Sequence, residues 1–120
     1  MLKFSCIRHE LFHAQRIYDH LAVAKQYLAR VLMTSNNDEI KINSRNILGK
    51  IYLEEGAYDS AQKEFEAILE KNENFADAHY GLGILYEKKG DTAKARSEWR
   101  KCLKLQVKHP GALQKLSEIK

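Results

Sequence analysis

The stretch LGKIY occupies residues 48–52 and is followed at fixed distances by Gly56, Ala61 and Phe65. The same phrase returns 34 residues later as LGILY at residues 82–86, and its followers keep the same displacement: Gly90, Ala95 and Trp99. A period of this size, built from small and aromatic residues at fixed offsets, is typical of stacked helix-turn-helix units. The sequence therefore predicts an all-α chain made of similar helix pairs.

The glycines inside the predicted helices indicate a close contact. Gly49 and Gly83 lie in mid-helix, where glycine costs about 1 kcal/mol relative to alanine, so we expect a second helix to approach them closely. Small residues at the crossing and aromatic residues around it would fill that contact: Ala61, Ala95, Phe65 and Trp99. These residues are interpreted as core, not as a site.

The turn between the two helices of each pair is also repeated. Gly56 and Gly90 follow the first helix of each pair, where a left-handed residue commonly ends a helix. Asp59 and Asp91 come next and favour the start of the second helix, as an early acidic residue or as its cap.

The repeated phrase, L-G-x-x-Y followed by Gly, Ala and Phe or Trp, resembles the tetratricopeptide repeat. The resemblance implies an all-α fold, a right-handed α-solenoid of antiparallel helix pairs with about three units and a C-terminal capping helix. It also implies a non-enzymatic function, in which the first helices of the pairs line a concave groove that holds a segment of another protein.

The repeat frame divides the chain into parts of one domain, 1–120. We predict a degenerate N-terminal hairpin, two repeats and a capping helix at residues 1–37, 42–75, 76–109 and 110–120. Within the repeats the predicted helices span 42–55, 58–71, 76–89 and 92–106. Pro110 opens the last helix, where its missing N–H costs nothing.

The N-terminal third follows the repeat less closely. Its first apolar residues recur in steps of three and four, as on one face of an amphipathic helix: Phe4, Ile7, Leu11, Ala14, Tyr18 and Leu21. A second set matches the return-helix positions, displaced by 37 residues instead of 34: Ala24, Leu28 and Val31. We place the three extra residues in the polar loop at 35–38. Either a break near Asp19 or a single longer helix fits this segment.

Composition excludes several classes of protein. Hydrophobic residues make up 44% of the 120 residues and charged residues 30%, and no apolar run approaches the roughly 20 residues that a membrane helix needs. The first residues lack a secretory signal, so a cytoplasmic protein without membrane contact is expected. Cys6 and Cys102 form no metal or redox motif, and Cys102 is predicted to be a buried, reduced core thiol.

One short motif points to a different chemistry. His9, Glu10 and His13 match H-E-x-x-H, in which two histidines one helical turn apart bind zinc and the glutamate acts as general base. Asp19 or His20 would be the third ligand. Arg16 and Asp19 depart from the extended motif, so we interpret the three residues as solvated, with a zinc metalloprotease as the remote alternative. No catalytic residue, metal or cofactor is predicted.

The groove residues follow from the resemblance, three and four apart on the inner face of each first helix. They are Asn43, Asn46, Lys50, Leu53, Asp77, Tyr80, Ile84 and Glu87. Family members that clamp a chaperone's C-terminal carboxylate use lysine and asparagine at fixed positions of this set. Here Asn46 and Lys50 stand in exchanged order and Gly81 replaces the next asparagine, so that specificity is not expected.

Charge is unevenly distributed along the chain, which has a formal net charge of +4. One return helix carries an acidic stripe and the next a basic stripe, and we expect them to pair in part between repeats: Glu66, Glu70 and Glu73; Lys94, Arg100, Lys101, Lys104 and Lys108. No aromatic residues accompany the basic stripe, so nucleic acid is not the expected partner. Another protein is, and self-assembly into a homo-oligomer is the alternative.

Overall fold

The computed structural model describes residues 20–118, and this part of the chain is entirely helical, with short loops and no strand. The described helices are α1 at 20–34, α2 at Asp38–Glu55, α3 at Tyr58–Lys71, α4 at Ala76–Lys88, α5 at Thr92–Leu105 and α6 at Pro110–Glu118. Consecutive helices pack against each other. The predicted all-α stack of helix pairs is confirmed, and α3 to α6 lie within one residue of their predicted starts. None of these helices is long and apolar enough to cross a bilayer.

The start of α2 was predicted wrongly. The helix begins at Asp38 instead of residue 42, and only residues 35–37 remain as loop. The Asn37 side chain accepts hydrogen bonds from the backbone N–H groups of Glu39, at 2.9 Å, and Ile40, at 3.2 Å. An asparagine cap of this kind favours a helix start, and acidic residues in the first turn add to it. The extra residues therefore lengthen α2.

The repeated turns have the predicted geometry. Gly56 and Gly90 have φ angles of 78° and 89°, in the left-handed region that favours glycine. The following residue returns a hydrogen bond to the helix, from Asp91 N–H to the Tyr86 carbonyl at 2.8 Å. The Asp91 side chain then caps α5 by accepting from the N–H of Lys94 at 3.1 Å. In the first repeat Asp59 lies in the first turn of α3 without capping it.

The mid-helix glycines lie against aromatic rings of the return helices. A Cβ atom on Gly49 would come within 2.6 Å of the Phe65 ring, and one on Gly83 would overlap the Trp99 indole. Gly81 also lies against Phe65, so this ring sits between α2 and α4. The return helices bury small residues in the same cores: Ala61 and Ala95. The predicted close approach is confirmed, and it is made by the aromatic rings.

Polar contacts within the helix pairs repeat with the same period of 34 residues. Within the helix pairs, Arg45 contacts Glu64 at 3.1 Å and His79 contacts Glu98 at 2.8 Å. Between successive units, Lys25 of α1 contacts Glu55 of α2 at 2.9 Å, and Lys89 at the end of α4 contacts Asp59 of α3 at 3.3 Å. The structure thus joins the units by charge as well as by apolar contact.

The predicted pairing between the acidic and basic stripes is wrong for three of their residues, Lys94, Lys101 and Glu66, which contact other partners. Lys94 lies 3.8 Å from Asp91, and Lys101 lies 3.2 Å from Glu98, both on or next to α5 itself. Glu66 accepts a hydrogen bond from Gln62 on its own helix. The reason is proximity, since partners three or four residues apart share a helix face.

Cys102 is a fully buried, free thiol in the core between α5 and α6. Burial, and to a lesser extent the Asp77 carboxylate, raises the pKa of this thiol from 9.0 to about 11. Its thiolate fraction at mildly alkaline pH is then about 100-fold below that of an ordinary cysteine, on the logarithmic pKa scale.

We therefore expect Cys102 to react with a disulfide reagent at least 100-fold more slowly in the folded protein than in urea, because the thiolate is the reacting form. The measurement uses a Cys6→Ser variant, so that only Cys102 titrates. Equal rates in the folded and unfolded states would contradict the burial of this thiol.

Candidate functional site

A cavity of about 460 Å³ lies between α2 and α4, and we call it the α2–α4 cavity. Its lining residues come from the last turns of α2, the turn into α3 and the face of α4: Lys50, Leu53, Glu54, Glu55, Gly56, Tyr58, Tyr80, Ile84 and Lys88. Four of the eight predicted groove residues, Lys50, Leu53, Tyr80 and Ile84, are therefore brought together in one place.

The lining combines apolar surface with free cationic groups. Leu53 and Ile84 provide aliphatic area, and the tyrosine rings add rigid apolar surface with a hydroxyl each. Lys50 and Lys88 are exposed, and neither forms an ion pair within residues 20–118. Such a mixture suits a segment that has both an apolar side chain and an acidic group.

The acidic residues of the cavity differ in availability. Glu55 is held by the Lys25 ammonium at 2.9 Å, so its charge is already compensated. Glu54 is exposed and has no such partner among the described residues. The two free lysines therefore outnumber the one free carboxylate, and the cavity favours an anionic ligand.

The remaining predicted groove residues lie outside the cavity. Asn43 is exposed on α2, whereas Asn46 is only 7% exposed, and its Oδ1 atom has no hydrogen-bond partner. Asp77 contacts His109 just before α6, and Glu87 contacts Lys115 of α6, so both carboxylates already have partners. The structure does not bring these four residues to the cavity.

The His109 side chain fixes α6 against α4. Its Nε2 lies 2.8 Å from Oδ1 of Asp77, and its Nδ1 accepts a hydrogen bond from the backbone N–H of Ala112 at 3.2 Å. Because Nδ1 accepts, Nε2 carries the proton and donates to Asp77. His109 thus caps α6 while it is bonded to α4, and it is 7% exposed. Sequence reasoning missed this role, although the residue before a first-turn proline is the cap position.

Tyr80 belongs to the cavity and to the helix interface at once. Its ring centroid lies 4.8 Å from that of His109. A Cβ atom on Gly111 would come within 2.6 Å of the Cζ atom of the Tyr80 ring. One side of the ring is therefore packed against the start of α6, which holds the other side in place beside Lys50 and Ile84.

A second contact ties the other end of α4 to α6. Lys115 donates a hydrogen bond to Glu87 at 2.9 Å, and this bond, more than the surrounding charges, raises the pKa of Lys115 above its usual value. Glu87 is thereby used in the interface and is not free for a partner.

Five of the nine residues that line the cavity were not predicted as groove residues: Glu54, Glu55, Gly56, Tyr58 and Lys88. Tyr58 begins α3, and Lys88 is the last residue of α4. The prediction considered only positions on the inner face of the first helices, and it stopped one residue before Lys88. Tyr58 and Lys88 could both have been predicted, because helix ends on the same side of two adjacent units lie next to the space between those units.

No group of three or more histidine, cysteine, aspartate or glutamate side chains in residues 20–118 is placed to hold a metal ion. His9, Glu10 and His13 of the H-E-x-x-H motif, and the predicted break near Asp19, lie outside the described residues.

Comparison with known proteins places this helix pairing in a family. The family model for the tetratricopeptide repeat matches residues 48–101, which contain both copies of the repeated phrase and the Phe65 and Trp99 rings. Residues 48–101 therefore contain tetratricopeptide repeats. A solved structure of the tetratricopeptide-repeat protein YrrB, described as having an unusual peptide-binding site, superposes with a TM-score of 0.72 at 29% sequence identity. That similarity covers 83% of this chain and 50% of YrrB.

Two sequence relatives also match this chain. The uncharacterized protein ycf37 of Pyropia yezoensis is 33% identical over 107 residues, which is 89% of this chain. The probable biofilm formation methyltransferase WspC of Pseudomonas putida is 36% identical over 64 residues, or 53% of this chain. The matches span 58% of ycf37 and 15% of WspC, so each relative contains more sequence than this chain accounts for.

Proposed function

We propose that this chain is a non-enzymatic adaptor that binds a peptide or helix of a partner protein at its concave groove, with the α2–α4 cavity at the centre. The observation that carries the proposal is the convergence of Lys50, Tyr80, Ile84 and Lys88 on one cavity. A tetratricopeptide-repeat fold favours a protein partner, and the peptide-binding site described for YrrB supports a peptide as the ligand.

The charges of the cavity suggest the chemistry of the peptide. Lys50 and Lys88 have no carboxylate partner among residues 20–118, so an Asp or Glu side chain of the ligand would gain charge-assisted hydrogen bonds. The apolar surface of Leu53 and Ile84 would take an adjacent aliphatic or aromatic side chain of the same peptide. The proposed ligand is thus an acidic segment with an apolar anchor.

The structure also decides which variant tests this proposal. Changing Tyr80 would disturb its contacts with His109 and Gly111, so loss of binding would be confused with loss of packing. Lys50 and Lys88 are exposed, and reversing their charges should leave the free energy of unfolding within about 0.5 kcal/mol of the parent. The Lys50→Glu/Lys88→Glu variant is therefore the informative one.

We expect this double variant to bind selected peptides at least about tenfold more weakly, because each lost charge-assisted bond contributes about 1.5–3 kcal/mol. Random peptides displayed on phage are selected on the parent protein, and dissociation constants of the enriched sequences are then measured. A Lys63→Glu/Lys104→Glu variant, with the same change in charge at exposed positions of α3 and α5, is the control and should bind normally. If both variants bind equally, or if no peptide is enriched, the proposed groove is wrong.

A further inference from the structure

The last described helix has a small buried contact with the rest of the stack. α6 has nine residues, and Ala112 is the one among them that is buried. No helix of residues 20–118 lies beyond it, so α6 is packed from one side. Segments with few buried apolar contacts open locally at a lower cost than unfolding of the whole domain. We therefore expect α6 to detach from α4 and α5 while the other helices stay folded.

Two polar contacts bind α6 to α4, one near each end of α6. His109, at the cap position, donates to Asp77 at 2.8 Å, and Lys115 donates to Glu87 at 2.9 Å. The side chains of the two carboxylates are 42% and 34% exposed, so water competes for both contacts. These bonds position α6, but they add little to the cost of detaching it.

The docked helix supports one wall of the α2–α4 cavity. Tyr80 and Ile84 line the cavity, and both also pack against the apolar cluster that contains Ala112 of α6. The Tyr80 ring centroid lies 4.8 Å from that of His109, and the ring lies so close to Gly111 that no side chain fits there. Two apolar side chains of the cavity therefore share their packing with α6.

Detachment of α6 changes what the cavity offers to a ligand. Tyr80 then loses His109 and Gly111 as neighbours, and Ile84 loses the part of the cluster that Ala112 supplies. The side chains gain rotational freedom, and a ligand must remove that freedom again when it binds. Docking of α6 meets this cost before the ligand arrives, so the docked state is the one with the higher affinity.

We propose that α6 regulates the α2–α4 cavity: a ligand binds while α6 is docked on α4 and α5, and is released when α6 detaches. The inference rests on the proposed function of this cavity. Such a linkage is reciprocal, so the bound ligand stabilises the docked helix by the same factor by which docking raises the affinity for the ligand. A partner that binds the detached helix thus weakens ligand binding without touching the cavity.

The Cys102 thiol reports the detachment of α6. It is fully buried in the same cluster as Ala112, so it reacts with a disulfide reagent when this cluster opens. In the Cys6→Ser variant of the full chain, we expect the labelling rate at low urea to rise less than about half as steeply with urea as the unfolding equilibrium does, because a local opening exposes less surface. The full slope would overturn the proposal, since α6 would then open only when the whole domain unfolds.

Ligand binding should slow this labelling. The probe is a phage-selected peptide that the Lys50→Glu/Lys88→Glu variant has lost. At twenty times its dissociation constant, the peptide should slow the labelling of Cys102 about twentyfold if the detached state has no affinity for it. Slowing by less than about threefold would overturn the proposal, because the peptide would then bind the docked and detached states almost equally.

A variant with α6 detached tests the linkage from the other side. Ala112→Asp places a carboxylate in the apolar cluster, and burying that charge is more costly than exposing the helix. Gln114→Asp introduces the same residue on the exposed side of α6 and is the matched control. We expect Ala112→Asp to bind the peptide at least tenfold more weakly and Gln114→Asp to bind it within twofold of the parent. Circular dichroism checks that α2 to α5 stay folded, and the labelling of Cys102 decides the question if they do not.

The proposed function and its regulation can fail separately. A peptide that Lys50→Glu/Lys88→Glu binds as tightly as the parent contradicts the proposed function, and the regulation with it. A peptide that is lost by that variant, but is bound normally by a folded Ala112→Asp protein with rapidly labelled Cys102, contradicts the regulation alone.

Discussion

Replacing Phe65 with alanine should lower the free energy of unfolding by about 3–5 kcal/mol, the usual loss for removing a buried aromatic ring. Phe65 is fully buried, and its ring contacts Gly49 of α2 and Gly81 of α4. Neither glycine has a side chain that could move into the space, so the cavity would stay open. Because small domains have only about 5–15 kcal/mol of total stability, we expect a large shift of the urea midpoint in circular dichroism.

A matched control separates this loss from the general effect of removing an aromatic ring. Tyr27 is also a large aromatic residue, but it is 66% exposed on α1. Tyr27→Ala should therefore change stability by less than about 0.5 kcal/mol. If Phe65→Ala cost no more than this control, the ring would not be the element that joins α2, α3 and α4.

Most helix boundaries could be predicted from the sequence because the signals that set them are local. Gly56 and Gly90 end the first helices through left-handed backbone, and Pro110 opens the last one. The start of α2 was predicted wrongly because the length of this helix was inferred from the helix of the following repeat. The local signal was the Asn37 cap followed by two acidic residues, and it should have outweighed the comparison between repeats.

The candidate site could be predicted only in part, because burial by a later helix is not a local property. Asp77 and Glu87 were assigned to the inner face from their spacing, and they do lie on one helix face. The spacing does not reveal their partners, His109 at the cap of α6 and Lys115 within α6, which are 32 and 28 residues away in the chain. Long-range pairing of this kind depends on how α6 docks.

The contacts between units are repeated only in part. Glu55 and Lys89 lie 34 residues apart at matching positions of α2 and α4, and each contacts the helix that precedes its own. Their partners differ in register, because α1 is displaced from α3 by 37 residues and Lys25 corresponds to Gln62. Lys89 donates to both Asp59 and Gln62, at 3.3 Å each. A search for identical residues 34 apart does not find these contacts.

Gly83→Leu should cost more than about 3 kcal/mol through overpacking at the crossing of α4 and α5. The Trp99 indole occupies the space into which a side chain on Gly83 would project, and Trp99 is fully buried. Helix propensity acts in the opposite direction, because leucine is favoured over glycine in a helix interior by nearly 1 kcal/mol. The measured loss is therefore smaller than the cost of the contact itself, and it can be followed by the fluorescence of Trp99, the single tryptophan of the sequence.

Ser117 provides the matched position for this experiment, since it is the counterpart of Gly83 one repeat later and is exposed. Without a ring above it, Ser117→Leu should change the free energy of unfolding by less than about 0.5 kcal/mol. Gly83→Ala should fall between the two leucine variants, because a single methyl group already meets the indole. Equal losses of unfolding free energy for Gly83→Leu and Ser117→Leu would show that the effect comes from a leucine in the helix itself. The contact between Trp99 and Gly83 would then not be what holds α4 against α5.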